Sequence, residues 1–332
     1  MHPFTLERPR DLAAALASRA QAGRNDAPAE YIAGGTDMVQ LLQEDVRRPE
    51  RLVSLAGLLD NRIEAGSQGL RLGAAATMAE VAAHPAVVER FPVITEALLN
   101  SASPQVRNQA TMGGNLLLRT RCPYFRDVGY AACNKRAPGS GCSAIGGENR
   151  WHAVLGTSDN CIAANPSDLA VALVALDAAV EVRGPGGQRT VPLIDFHRLP
   201  GDTPHIETVL EPGEVIAAIT VPANPAAQRS HYLKVRDRAS FEFAVVSAAV
   251  ALDMDGGRIR QARVALGGVG TKPWRVSRVE TALAGASLDP AALRPAAALA
   301  AEGAQGRGRN DFKIELMQRA IVRAVETAGA RA

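Results

Sequence analysis

The chain has no G-x-G-x-x-G at a strand-to-helix junction and no glycine-rich loop ending in Gly-Lys-Ser or Gly-Lys-Thr. The first absence excludes the common dinucleotide fingerprint, and the second excludes a phosphate-binding loop of the nucleotide-hydrolase type. No stretch reaches about 18 uncharged apolar residues, so no membrane-spanning helix is expected. The formal charge is only +3 and well mixed, which argues against nucleic acid or an anionic membrane as partner. The opening residues Met1 to Pro9 lack a basic region followed by an apolar run, so no export signal is expected on this chain. A folded partner carrying a signal is the expected way across a membrane. Aromatics are scarce at 4%, and the four cysteines include no Cys-x2-Cys pair. That spacing matches neither a compact bacterial ferredoxin run nor a paired zinc site.

What is present is concentrated in one stretch. Thr111-Met112-Gly113-Gly114-Asn115 is followed by Cys122, Cys133, Cys142 and Cys161 in the pattern Cys-x10-Cys-x8-Cys-x18-Cys. No regular apolar period runs between them, so this part reads as a long ordered loop, the kind of segment that carries function. Six basic residues, Arg119, Arg121, Arg126, Lys135, Arg136 and Arg150, stand there against Asp127, Glu148 and Asp159. Nearby cations stabilise the negative charge of metal-bound thiolates, whether of an iron-sulfur cluster or of zinc. From spacing alone a cluster, structural zinc, disulfides and free thiols all remain open.

A glycine site of similar kind lies upstream. Tyr31 to Ala33 reads as a short buried strand running into Gly34-Gly35-Thr36-Asp37, and Met38 starts a helix for which Thr36 or Asp37 is the expected N-cap. Small residues at both places permit close backbone approach, and two such loops could clasp the halves of a pyrophosphate. Around them, Asp11 to Arg19 reads as a helix, with a return through Gly23, Asn25 and Pro28. Strands are expected at Arg51 to Leu55 and Leu70 to Gly73. Thr77 and Glu80 have capping-box spacing, and Ser167 or Asp168 starts a strongly apolar helix through Leu176. A hairpin turns at Gly184 to Gly187. The Pro222 to Gln228 stretch is the expected domain boundary, before antiparallel strands and helices. An alanine-rich helix between 289 and 305 is expected to break near Pro295, and Arg307-Gly308-Arg309 reads as a solvated connection. His84, His197 and His205 have no matched ligand spacing and are expected at the surface or in caps. His152 could shield or hydrogen-bond a cluster, and Tyr124, Phe125 and Tyr130 could cover it.

The ordered set Ala33-Gly34-Gly35-Thr36, Thr111 to Asn115, Asn165-Pro166-Ser167-Asp168 and Lys234-Val235-Arg236 resembles the FAD-binding subunits of the molybdenum hydroxylases, the xanthine dehydrogenase family. The cysteine insertion resembles the branch of periplasmic aldehyde oxidoreductase FAD subunits, where a 4Fe-4S cluster occupies it. The resemblance covers essentially the whole chain. It implies an α+β protein with a vanillyl-alcohol-oxidase-type (PCMH-like) FAD-binding domain over 1–222, split into two subdomains near 55–60 and carrying the 4Fe-4S insertion at 119–161. A CO-dehydrogenase-flavoprotein-like α+β domain follows over 229–332. The same resemblance implies that Ala33, Gly34, Gly35, Thr36 and Asp37 hold the FAD pyrophosphate from one side, and Thr111, Gly113, Gly114 and Asn115 from the other. Asp168 is implied near the ribose and adenosine half, Lys234 near the flavin, and Cys122, Cys133, Cys142 and Cys161 as cluster ligands. The implied partners are a large molybdenum cofactor subunit, a small subunit with 2Fe-2S clusters, and an external electron acceptor. No catalytic residue for substrate hydroxylation is then expected on this chain, and its location is periplasmic by co-export or cytoplasmic. The alternatives are the FAD subunit of a 4-hydroxybenzoyl-CoA reductase-like complex and a zinc-stabilised assembly subunit.

Overall fold

The computed structural model describes residues 1–20 and 29–331; the return expected around Gly23, Asn25 and Pro28 lies outside the described residues. Three sheets follow one another along the chain. The first is parallel, with Arg51–Ser54 between Thr5–Glu7 and Ala29–Ile32. Leu52 and Val53 make its central strand apolar, and Leu12, Ala15 and Leu16 of the helix Leu12–Ala20 pack with Val53. A parallel sheet needs such a crossover helix to cover its face.

The second sheet is antiparallel, in the order Ile63–Gly66, Gly69–Gly73, Val215–Pro222, Ala179–Gly184, Gly187–Pro192. Its central strand, Val215–Pro222, is the last in sequence, so the chain returns to the middle of the sheet before leaving it. The capping box of Thr77 and Glu80 forms as expected and starts the first of three short helices, Met78–Ala83, Pro85–Arg90 and Pro92–Leu99. The helix Asp168–Ala175 is buried at all eight positions and shares one core with Leu72 and Ile219 of this sheet and Ala249 and Ala265 of the next. A helix apolar all round is one with protein on every side.

The third sheet, antiparallel, runs Trp274–Arg275, Arg258–Gly267, Val246–Asp255, Ser230–Val235. The amphipathic helix Phe312–Gly329 lays Met317, Ile321, Ala324 and Val325 into the core it shares with Val250 and Val264 of this sheet. The alanine-rich segment is helical over Pro290–Ala298 with Pro295 inside it, and gives way to a 3-10 turn only at Leu299–Ala301. Burial of Leu293, Ala296 and Ala297 carries the helix past the proline, contrary to the expected break. No helix among the described residues is long and apolar enough to cross a membrane.

Lys313, at the start of the long helix, has no exposed surface, and its ammonium donates to the Gly268 carbonyl at 2.8 Å. Burial pushes its pKa down to about 7, with Arg150 adding to the effect and Asp237 opposing it. From that value up to the unfolded lysine range of about 10.4 the unfolded chain holds the extra proton, so this residue makes stability rise with pH. At more acidic pH both states are charged, and the cost of burying the ammonium is fully present. Lys313→Met removes the titration. Urea midpoints measured from about pH 6 to about pH 10 should rise more steeply for the natural protein than for the variant; parallel curves would contradict the burial.

Candidate functional site

A cavity of about 660 Å³ opens among the three sheets, in the size range of cofactor clefts, and every glycine-loop residue expected at a pyrophosphate lines it. Ala33 to Thr36 follow the strand Ala29–Ile32, and Gly35 turns the chain with φ of +73°, a conformation that glycine adopts freely. Gly34 is small for a different reason. A Cβ there would lie 1.9 Å from the Gln109 carbonyl oxygen, so the first loop rests directly on the backbone leading into the second. In the second loop, Thr111 caps the helical turn Met112–Leu116 by accepting from the Gly114 amide at 3.2 Å. Gly113 packs on Ala74, whereas a Cβ on exposed Gly114 would meet only the Thr111 hydroxyl. Asn115 accepts from the Ser167 hydroxyl at 2.6 Å, which ties this loop to the N-cap of Asp168–Ala175.

Asp37 occupies the N-cap position of the helix Met38–Gln43, as expected, but its side chain makes no capping bond. The carboxylate instead accepts from the Arg119 amide at 2.9 Å and from the Arg126 guanidinium at 2.7 Å, and pairs with Arg121 at 3.1 Å. It thereby fastens the first glycine loop to the root of the cysteine insertion. Other basic residues of the insertion are likewise neutralised from outside it. Arg126 also reaches Glu44, Arg119 and Lys135 meet Glu207, and Arg150 meets Asp237. Burial alone would raise the Glu207 pKa, but Arg119, Lys135 and Arg47 overcome it and hold the carboxyl at about 2. The charge imbalance seen along the insertion is therefore largely cancelled in three dimensions. Arg307 and Arg309 are not merely solvated either: they pair with Asp159 and Glu148 of the insertion.

Asp168 and Lys234 both line the cavity and form one ion pair of 2.7 Å, with side chains 5% and 1% exposed. Tyr232 donates to the same carboxylate at 2.6 Å and Ser101 at 2.7 Å, while Lys234 also donates to the Asn100 carbonyl at 2.9 Å. Burial, reinforced by Asp168, pushes the Tyr232 pKa well up and keeps it a donor. The strand Ser230–Val235 brings the lysine onto the start of the helix Asp168–Ala175, so the two residues meet at one point of the cavity wall.

The insertion has one short helical turn, Pro123–Arg126, and otherwise bends and isolated bridges, among them Cys133 with Cys142. None of the four cysteines is paired in a disulfide, and all four line one small second cavity together with Tyr124 and Phe125. Tyr130 is 44% exposed and stacks edge-on to Tyr124, outside that cavity. Burial pushes Cys122 up to about 12, against the Phe125 backbone amide, and Cys161 up to about 11, against Lys135. Among the described residues, no group of three or more His, Cys, Asp or Glu has the arrangement of a single-ion site. The two cavities share Lys135, Cys161 and Ala163 as a wall.

Histidine placement was least legible in the sequence. His197 is buried, lines the large cavity and bonds the Leu116 carbonyl through Nε2 at 2.9 Å, with its pKa pushed down to about 4 by burial. His152 is buried with Nε2 3.1 Å from the Cys122 sulfur. No local spacing signals the first contact, and the second spans 30 residues.

Two glycine loops thus line one cavity beside an antiparallel sheet, and an α+β unit follows in the chain. Residues 2–224 match the FAD binding domain in molybdopterin dehydrogenase, and residues 231–328 match the CO dehydrogenase flavoprotein C-terminal domain. The chain belongs to this family, as an oxidoreductase subunit of the molybdopterin-dehydrogenase type. It is 45% identical to the aldehyde oxidoreductase FAD-binding subunit PaoB of Escherichia coli, over 100% of both chains. It is 28% identical to the carbon monoxide dehydrogenase medium chain of Afipia carboxidovorans, over 99% of this chain and 98% of that one. Among solved structures, a chain of the cyanide-inactivated Cu,Mo-CO dehydrogenase superposes with a TM-score of 0.76 at 28% identity, over 100% of both chains. A chain of quinoline 2-oxidoreductase from Pseudomonas putida gives 0.75 at 25% identity, over 99% of this chain and 97% of that one.

Proposed function

We propose that this chain is the FAD- and 4Fe-4S-containing electron-transfer subunit of a three-subunit molybdenum aldehyde oxidoreductase. The observation that carries the reading is the cavity walled by both glycine loops, with Cys161 in the wall it shares with the four-cysteine cavity. Similarity along the full length to an aldehyde oxidoreductase FAD-binding subunit supports the aldehyde-oxidising assembly. On this reading Ala33 to Thr36 and Thr111 to Asn115 bind the pyrophosphate through backbone amides and small side chains. Asp37 acts by holding the first loop in place, since its carboxylate is engaged by arginines. Asp168 and Lys234 supply one buried polar corner of the site. FAD, when bound, accepts electrons singly and delivers one or two. The chain receives them from the small 2Fe-2S subunit and passes them to an external acceptor, while hydroxylation takes place on the large molybdenum subunit.

The four cysteines line one small cavity, the convergence of sulfur ligands that a four-cysteine cluster requires. Flavin, iron and sulfide analysis of anaerobically purified protein, with EPR after reduction, tests both cofactors. Zinc without iron would return the insertion to the structural alternative. Turnover of 4-hydroxybenzoyl-CoA by the assembled complex, with none of aromatic aldehydes, would replace the aldehyde assignment by the reductase. Cys133→Ser should lose iron and retain most of its FAD, since Cys133 lines only the smaller cavity. Equal loss of both cofactors from soluble protein would show that the two sites are mechanically one.

A further inference from the structure

Resting on the reading that the four cysteines hold an iron-sulfur cluster, the geometry points to His152 as the residue that raises the cluster's reduction potential, by donating a hydrogen bond from Nε2 to the Cys122 sulfur. The two atoms are 3.1 Å apart, and His152 is only 2% exposed. The ring is held from several directions. Its backbone amide donates to the Asn149 carbonyl at 2.9 Å, and Asn310 donates to the carbonyls of His152 at 3.4 Å and Ala153 at 3.0 Å. Asn310 itself has no exposed surface, and Tyr124 packs against the imidazole at 6.2 Å between ring centres. The contact is therefore fixed by a residue of the C-terminal unit as well as by the insertion.

The proton's position follows from the chemistry of the pair. Nδ1 is buried and has no hydrogen-bond partner among the described residues. If Nδ1 carried the proton, a buried N-H would be left without an acceptor. A free Cys122 thiol could offset this by donating its S-H to Nε2. An iron-bound thiolate has no S-H, so the favoured tautomer then carries the proton on Nε2 and donates it to sulfur. Uptake of one electron from an external reductant adds one negative charge, spread over the cluster and its thiolates. No proton need move. A fixed N-H dipole on a ligating sulfur stabilises the more negative state more than the oxidised one, which raises the potential. His152 touches a ligand and not the reacting atoms of any substrate, so it is a positioning residue.

The test uses the full chain produced with its partner subunits and purified anaerobically, with redox titration followed by the low-temperature EPR signal of the 4Fe-4S cluster. His152→Phe should keep iron and sulfide at the natural level while reduction becomes about tenfold less favourable, a shift of about 59 mV to more negative potential for one electron. His152→Gln, which keeps an N-H donor at similar reach, should recover much of the shift. Equal potentials for the natural protein and a cluster-loaded His152→Phe would overturn the inference and leave the cluster reading intact. Iron-free natural protein would sink both. Where the Phe variant fails to hold its cluster, ¹⁵N-histidine-labelled natural protein decides the matter. Pulsed EPR of its reduced cluster should show nitrogen coupling from a hydrogen-bonded imidazole, and no such coupling would overturn the inference.

Discussion

Lys234→Met should destabilise the protein by about 3–5 kcal/mol, because it strips a buried carboxylate of its cation while leaving that carboxylate in place. The lysine is 1% exposed and its partner Asp168 5%, so water cannot replace the lost ammonium without opening the joint between the helix Asp168–Ala175 and the strand Ser230–Val235. Tyr232 and Ser101 would still donate to the carboxylate, which limits the loss but does not neutralise the charge. The double variant Asp168→Asn, Lys234→Met should be less destabilised than Lys234→Met alone, since it removes the uncompensated charge together with its partner. Chemical unfolding of the two variants checks this; a double variant as weak as the sum of both single variants would show that the pair is not coupled. Flavin retention should fall with Lys234→Met, because both residues line the cavity.

Gly34→Ala and Gly114→Val should both lose flavin, by different routes. At Gly34 the added methyl would sit 1.9 Å from the Gln109 carbonyl oxygen, and neither backbone can yield without parting the two loops. Overpacking of this kind costs about 1–3 kcal/mol, so the flavin-free protein should also melt lower. At Gly114 a Cβ would meet only the Thr111 hydroxyl, and the rest of a valine side chain would extend over the cavity face. That variant should cost the flavin-free protein about 1 kcal/mol, because its Cβ would sit 2.9 Å from the capping Thr111 hydroxyl, while lowering the flavin-to-protein ratio severalfold. Full flavin occupancy in Gly34→Ala would show that the loops separate freely, and full occupancy in Gly114→Val would remove this loop from the pyrophosphate.

The chain by itself determined the features that depend on neighbours a few residues apart. The capping box at Thr77 and Glu80, the Ser167 cap, the glycine turn after Ile32 and the apolar helix that follows Ser167 were all legible, because each is a local hydrogen-bond or packing requirement. Together with the cysteine spacing, they sufficed to expect two loops around one ligand and a second site beside them. The strand Thr5–Glu7 was missed because three residues carry too little periodic signal. Helix propensity misjudged Pro295, where burial of the flanking alanines and Leu293 prevailed.

Only the tertiary structure decided which distant groups meet. It placed Val215–Pro222 in the middle of the second sheet, joined Asp168 to Lys234 across 66 positions, and gave Asp37 to arginines 82 and 89 positions away. It also cancelled much of the insertion's charge and turned His152 toward Cys122. Such pairings leave no trace in local spacing, because charge and hydrogen-bond complementarity act through space once the chain has packed, and the packing is set by the whole core.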